Sequence, residues 1–354
     1  MERYLIHDFG KDPGESNGKD YAREPIIRRM KDGRIVCTFL TGGPTEPDNR
    51  NVLKLSYSDD DGRTWSKPEV IISHQNRGVW CTELFNEGAN SFLVVMTYCA
   101  ENCYRELQTF RSYSYDNGRT WKEPVSFPSG LNGVTLRQGI VMSNGEWLFP
   151  LYWQETVRRF DWNIDSSLGD SEKQTGENAE GEAWPFCCGV AVSLDQGKTY
   201  QRYGYMKDPG NRSLWEPNCI ELEDGHIVIL MRDNANSYLR RCDSFDYGRT
   251  WGELVLTDLP NPNTKLTLLK INGKILLINN FNNVSGWMER THLEIWVSAD
   301  NMQTWEKKIP IAHCDERFFY PHAFADEKQK TLYVAYENAE QHYLMRIPYD
   351  ELGL

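Results

Sequence analysis

The sequence predicts an all-β chain closed into a single six-bladed β-propeller, and three observations carry that prediction. One hairpin motif returns five times, a second turn signal runs in step with it, and together they divide the chain into six similar units.

The hairpin motif is Ser-x-Asp-x-Gly-x-x-Trp. It stands complete at Ser58, Asp60, Gly62 and Trp65, at Ser114, Asp116, Gly118 and Trp121, and at Ser244, Asp246, Gly248 and Trp251. A copy at Ser193, Asp195 and Gly197 ends in Tyr200, and a last one at Ser298, Asp300 and Trp305 has Met302 in place of Gly. Such a motif is a turn: the Asp binds turn backbone, the Gly takes a positive φ, and the aromatic ring folds back on the sheet. It is structural, and Met302 is expected to break its chemistry in the fifth copy.

The second signal is a set of turn pairs, Asp32-Gly33, Glu87-Gly88, Asn144-Gly145, Asp224-Gly225 and Asn272-Gly273, each ahead of a β-rich run such as Ile227-Val228-Ile229-Leu230. A weaker sixth is Asp326-Glu327 before Thr331-Leu332-Tyr333-Val334. Six units of about sixty residues each hold four strands and their loops, the size of a propeller blade. Residues 1–354 are therefore expected to form one domain, with a polar loop around 161–182 inserted in the third blade as either a solvated excursion or a lid.

Composition narrows the function. A net charge of −12 disfavours nucleic acid, which demands a basic face. No apolar run approaches a membrane span and Met1 to Asp8 lacks an apolar leader, so a cytoplasmic location with no membrane partner is expected. The nine cysteines show no metal-ligand spacing and read as reduced core residues. Aromatic residues at 12% of the chain leave rings for a carbohydrate surface.

With these repeats the chain resembles the sialidase (neuraminidase) superfamily, in particular its branch with BNR, or Asp-box, repeats. Four further stretches carry the resemblance. Arg23-Glu24-Pro25 ahead of Ile26-Ile27 is similar to the family's Arg-Ile-Pro opening, with Glu in place of Ile. Trp215-Glu216-Pro217-Asn218, the Asp224-Gly225 turn and Met231-Arg232 resemble its Glu, turn and Arg run. Glu289-Arg290-Thr291 resembles the stretch with a third arginine, and Phe319-Tyr320-Pro321-His322 the last blade.

What the resemblance implies is a retaining exo-glycosidase acting on a terminal sialic acid or related acidic 2-keto sugar, without metal or organic cofactor. Arg23, Arg232 and Arg290 would bind the sugar carboxylate, Tyr320 would be the nucleophile and Glu216 its base. The general acid would come from the loop Thr41 to Asn51, as Asp48 or else Glu46. Arg137 and His322 are further candidates for contact with the sugar, His322 because the family usually has a small residue near that place.

The chemistry suits those residue types. Guanidinium groups give charge-assisted, partly bidentate bonds to a carboxylate. A neutral phenol avoids the repulsion that a carboxylate nucleophile would meet from an anionic sugar, and needs an adjacent base because its ordinary pKa is about 10. Two other readings fit the same motifs: a glycosidase or lyase of this fold for a different sugar, and a non-catalytic glycan-binding propeller, since fold alone does not fix function.

Overall fold

A computed structural model describes residues 1–12, 21–154 and 185–354, with the side chains of 102–106 excepted; the loop expected at 161–182 lies outside the described residues. The strands form six antiparallel sheets. Each sheet packs on the next and the sixth on the first, so the ring of six blades closes. The predicted architecture is the observed one.

Each unit follows one plan. The turn pairs predicted from sequence join the first and second strands, as at Leu214–Glu223 and His226–Asp233 in the fourth blade. The second strands are buried along nearly their whole length, as at Ile35–Thr41 and Trp147–Trp153, and are accordingly mostly apolar. The outermost strands, such as Glu69–Ile72 and Lys307–Pro310, turn most of their residues to solvent.

The described residues form no single central core. Buried apolar side chains fall into six clusters, one in each interface between neighbouring blades: Ile26, Leu53 and Val95 between the first and second, for example, and Ile278, Val334 and Ile347 between the fifth and sixth. The axis is thereby left to polar groups.

The hairpin motif folds as expected. In the fourth copy Ser244 Oγ donates to Asp246 Oδ1 at 2.8 Å and accepts from Gly248 N–H at 2.9 Å, while Trp251 Nε1 donates to Gly248 O. The fifth copy corrects an expectation. Met302 N–H donates to Ser298 Oγ at 2.9 Å in the same way, with Met302 at a φ of 66°. The bond uses only the backbone N–H, and the Met302 side chain is buried between the fourth and fifth blades, which offsets the unfavourable backbone.

The sixth blade has a composite origin that the turn signals did not show. Its three inner strands are Phe319–Asp326, Thr331–Glu337 and Gln341–Pro348, and its outermost is the N-terminal strand Glu2–Asp8, with Glu2 paired to Arg346.

Candidate active site

Three innermost strands carry the same irregularity at the same end. In the first blade the register slips by one residue between Arg23 and Ile26, in the fourth between Trp215 and Asn218, and in the sixth between Phe319 and His322. Each slip is a bulge. The residue in it has a positive φ, Glu24 at 54°, Glu216 at 44° and Tyr320 at 54°, and each is followed by proline, which has no ladder N–H to lose. Unfavourable backbone of this kind concentrates at functional sites. All three residues line one cavity of about 200 Å³ on the axis.

The cavity assembles groups from far apart in sequence. Tyr320 Oη donates to Glu216 Oε1 at 2.9 Å. Arg232, opposite Trp215 on the neighbouring strand, donates from Nη1 to Glu216 Oε2 at 2.7 Å and to Tyr320 Oη at 3.2 Å. Arg23 and Arg290 place their guanidinium carbons 4.5 and 5.4 Å from the centre of the Tyr320 ring. The structure therefore brings Arg23, Arg232, Arg290, Glu216 and Tyr320 together from four blades.

Each cation is held differently. Arg23 donates Nε to Glu337 Oε1 at 2.6 Å and Nη1 to Tyr21 Oη at 2.6 Å. Arg232 also donates to Asn263 Oδ1. Arg290 donates Nη2 to Asn263 O at 2.8 Å, while its buried Nε and Nη1 have no hydrogen-bond partner among the described residues. Burial, together with Arg232 and Arg23, lowers its pKa, so it is the guanidinium most in want of an anion. Trp287 lies over both Arg23 and Arg290, at 4.5 and 4.6 Å.

The phenol and the carboxylate titrate in opposite directions. Burial and the Glu216 charge raise the Tyr320 phenol against the pull of three arginines. Burial alone would raise the Glu216 carboxyl, but Arg232 and Arg137 outweigh it and hold it down at about 2. The pair is thus a protonated phenol donating to an ionised carboxylate.

Three expected site residues fall elsewhere. Asp48 does not line the cavity: both its oxygens accept from the Arg50 guanidinium, at 2.9 and 2.7 Å, and those bonds lower its pKa, so it is poorly placed to deliver a proton. Glu46 does line the cavity. Arg137 is 3% exposed and ion-paired to Glu24 beneath the floor. His322 is also beneath it, its Nδ1 accepting from Ile27 N–H at 3.2 Å and its Nε2 3.7 Å from Glu83. Neither Arg137 nor His322 borders the space above Tyr320.

Sequence reasoning gave no role to Glu337, Tyr21, Asn263, Trp287 or Lys265. A signal for the floor was present in Glu24-Pro25, Glu216-Pro217 and Tyr320-Pro321, three prolines at equivalent places in three blades. A larger concavity, about 850 Å³, opens elsewhere, beside the inner-strand turns at Met30, Glu87 and Asp326. Charged side chains line it as well, among them Arg28, Arg29, Lys270 and Asp326, but none of the three bulge residues Glu24, Glu216 and Tyr320 does. Among the described residues no group of three or more His, Cys, Asp and Glu side chains is set to hold a metal.

Comparison with known proteins bears on the fold and the family. Residues 33–334 match the family described as BNR repeat-like domain. A sialidase of Bacteroides fragilis is 20% identical over 327 residues, covering 81% of this chain and 54% of its own length. A sialidase of Micromonospora viridifaciens is 23% identical over 313 residues, covering 80% of this chain and 45% of its own length. The chain thus spans about half the length of these relatives. Among solved structures, the Hadza microbial sialidase Hz136 superposes with a TM-score of 0.75 at 18% identity, covering 98% of this chain and 68% of that one. A protein of unknown function from Dyadobacter fermentans gives 0.72 at 16% identity, covering 98% and 97%. The chain belongs to the BNR repeat-like family of the sialidase superfamily.

Proposed function

We propose that this protein is a retaining exo-glycosidase that removes a terminal sialic acid or a related acidic 2-keto sugar, with Tyr320 as nucleophile. The observation that carries the reading is the 2.9 Å bond from Tyr320 to Glu216 inside a ring of three guanidinium groups, one of which has two nitrogens without a partner among the described residues.

The sugar carboxylate binds among Arg23, Arg232 and Arg290, fixing the anomeric carbon above Tyr320. The phenolic oxygen attacks that carbon as its proton passes to Glu216. The glycosidic bond breaks and its oxygen takes a proton from Glu46, which lines the cavity where Asp48 does not. Water then attacks the glycosyl-tyrosine, giving its proton to Glu46 while Glu216 returns the phenolic proton, so configuration is retained over two inversions.

Glu216 is a weak base while the arginines hold it near 2. An anion docked on Arg232 and Arg290 offsets that hold and raises the carboxylate, so substrate binding itself prepares the base.

The test is release of a fluorogenic leaving group from an α-sialoside. Wild type is expected to turn over, and Tyr320→Phe to lose roughly a thousandfold or more in kcat, as removal of a nucleophile does elsewhere. Absence of turnover by wild type across a panel of acidic sugar glycosides would overturn the reading.

A further inference from the structure

The cavity floor holds a carboxylate that this chemistry leaves unused. Glu24 lines the same space as Arg23, Glu216, Arg290 and Tyr320. It occupies the first-blade bulge, in the position that Tyr320 and Glu216 occupy in theirs, and is 8% exposed. A buried carboxylate requires partners, and those of Glu24 are one-sided.

Its Oε1 is ion-paired with Arg137 from the third blade and, at 3.3 Å, with Lys265 from the fifth; each of the two cations is 3% exposed. Its Oε2 accepts no hydrogen bond from the described residues and is not among the buried unpartnered atoms, so it meets the open cavity. Glu216 differs in this respect, because Tyr320 occupies its Oε1 and Arg232 its Oε2. The site therefore offers a ligand cations for an anionic group and, on the floor, one fixed acceptor that calls for a donor.

We propose that Glu24 is a specificity-determining residue whose free oxygen accepts a hydrogen bond from a sugar hydroxyl, so that the site selects an acidic sugar bearing a hydroxyl on the face toward the floor. This inference rests on the acidic-sugar reading of the site. Arg137 and Lys265 are positioning residues: they clamp one oxygen and so aim the other. A sugar lacking that hydroxyl leaves the carboxylate desolvated and unpaired, the situation that gives polar pockets their discrimination.

The test uses calorimetric binding of N-acetylneuraminic acid and of its monodeoxy derivatives, each lacking one hydroxyl. Wild type is expected to bind one derivative roughly tenfold to hundredfold more weakly than the parent. In Glu24→Gln the amide oxygen turns to Arg137 and Lys265 and the amide nitrogen faces the cavity. The preference should shrink to within about threefold there and in Glu24→Ala, because the sensitive derivative, which no longer leaves a buried charge unpaired, binds these variants at least as tightly as wild type.

Equal binding of parent and every derivative by wild type, which needs no variant to fold, would overturn the proposal. So would variants that weaken all probes by one common factor, since that describes a structural role. Binding of none of the probes by wild type would instead remove the acidic-sugar reading, and this proposal with it.

Discussion

The outer hairpins and the inner-strand bulges of this propeller are both repeated structures, and they treat repetition in opposite ways. The hairpins keep one hydrogen-bond set through five copies, even where Met302 replaces Gly. The bulges keep only their backbone: an extra residue, a positive φ and a following proline, with Glu24, Glu216 and Tyr320 in the same place. A repeat that preserves side chains maintains a shape, whereas one that preserves a backbone device and varies its side chain supplies the parts of a site.

This contrast can be broken most strongly at the axis. Arg290→Ala should lower kcat/KM on an acidic glycoside by roughly tenfold to hundredfold, mostly through KM, because it removes a charge-assisted bond to the substrate. Steady-state kinetics beside a thermal melt would show it, with Tm nearly unchanged. A melt that collapses with the rate would mean that the axial arginines support the ring.

Acidification probes the hairpins as a set. The Thr64 backbone N–H holds Asp60 at about 2, and the Thr120 hydroxyl does the same for Asp116, each against an ordinary value of about 3.9. Since the folded pKa is depressed, the stability these carboxylates supply is present above about pH 4 and is lost as pH falls toward 2. A plot of Tm against pH should be level above about pH 5 and descend steeply below 4. A level plot down to pH 2 would separate the hairpins from stability.

The smallest effect is expected from Ser244→Ala. It removes an acceptor for Gly248 N–H and a donor to Asp246, which should destabilise the fold by about 1–3 kcal/mol and lower Tm by a few degrees with kcat unchanged. A change in kcat would show that the rim reaches the axis.

How much of this was legible in the sequence follows the same division. Asp-box spacing and turn pairs are local chemistry, so six blades could be counted from residues within eight positions of one another. The site was readable where a motif names its own residue, as at Arg23, Glu216, Arg232 and Tyr320. It was not readable where two elements meet: Asp48 and Glu46 sit two residues apart in one loop, and only folding decides that one faces Arg50 and the other the cavity. Arg137 and His322 were placed one layer too high for the same reason, because alternation along a strand does not say how deep its end sits. The closing strand Glu2–Asp8 was missed because its partner lies at the far end of the chain.

That pairing of Glu2 with Arg346 makes the sixth blade a clasp. Five sheets can form from contiguous stretches of chain, while the last must recruit its edge from the opposite terminus, the contact with the greatest loop entropy to overcome. The ring is therefore expected to shut last during folding and to come apart first at that seam. Because Tyr320 stands on the innermost strand of the clasped blade while Glu216 stands two blades away, the proposed site would be complete only once the strand Glu2–Asp8 has met Gln341–Pro348.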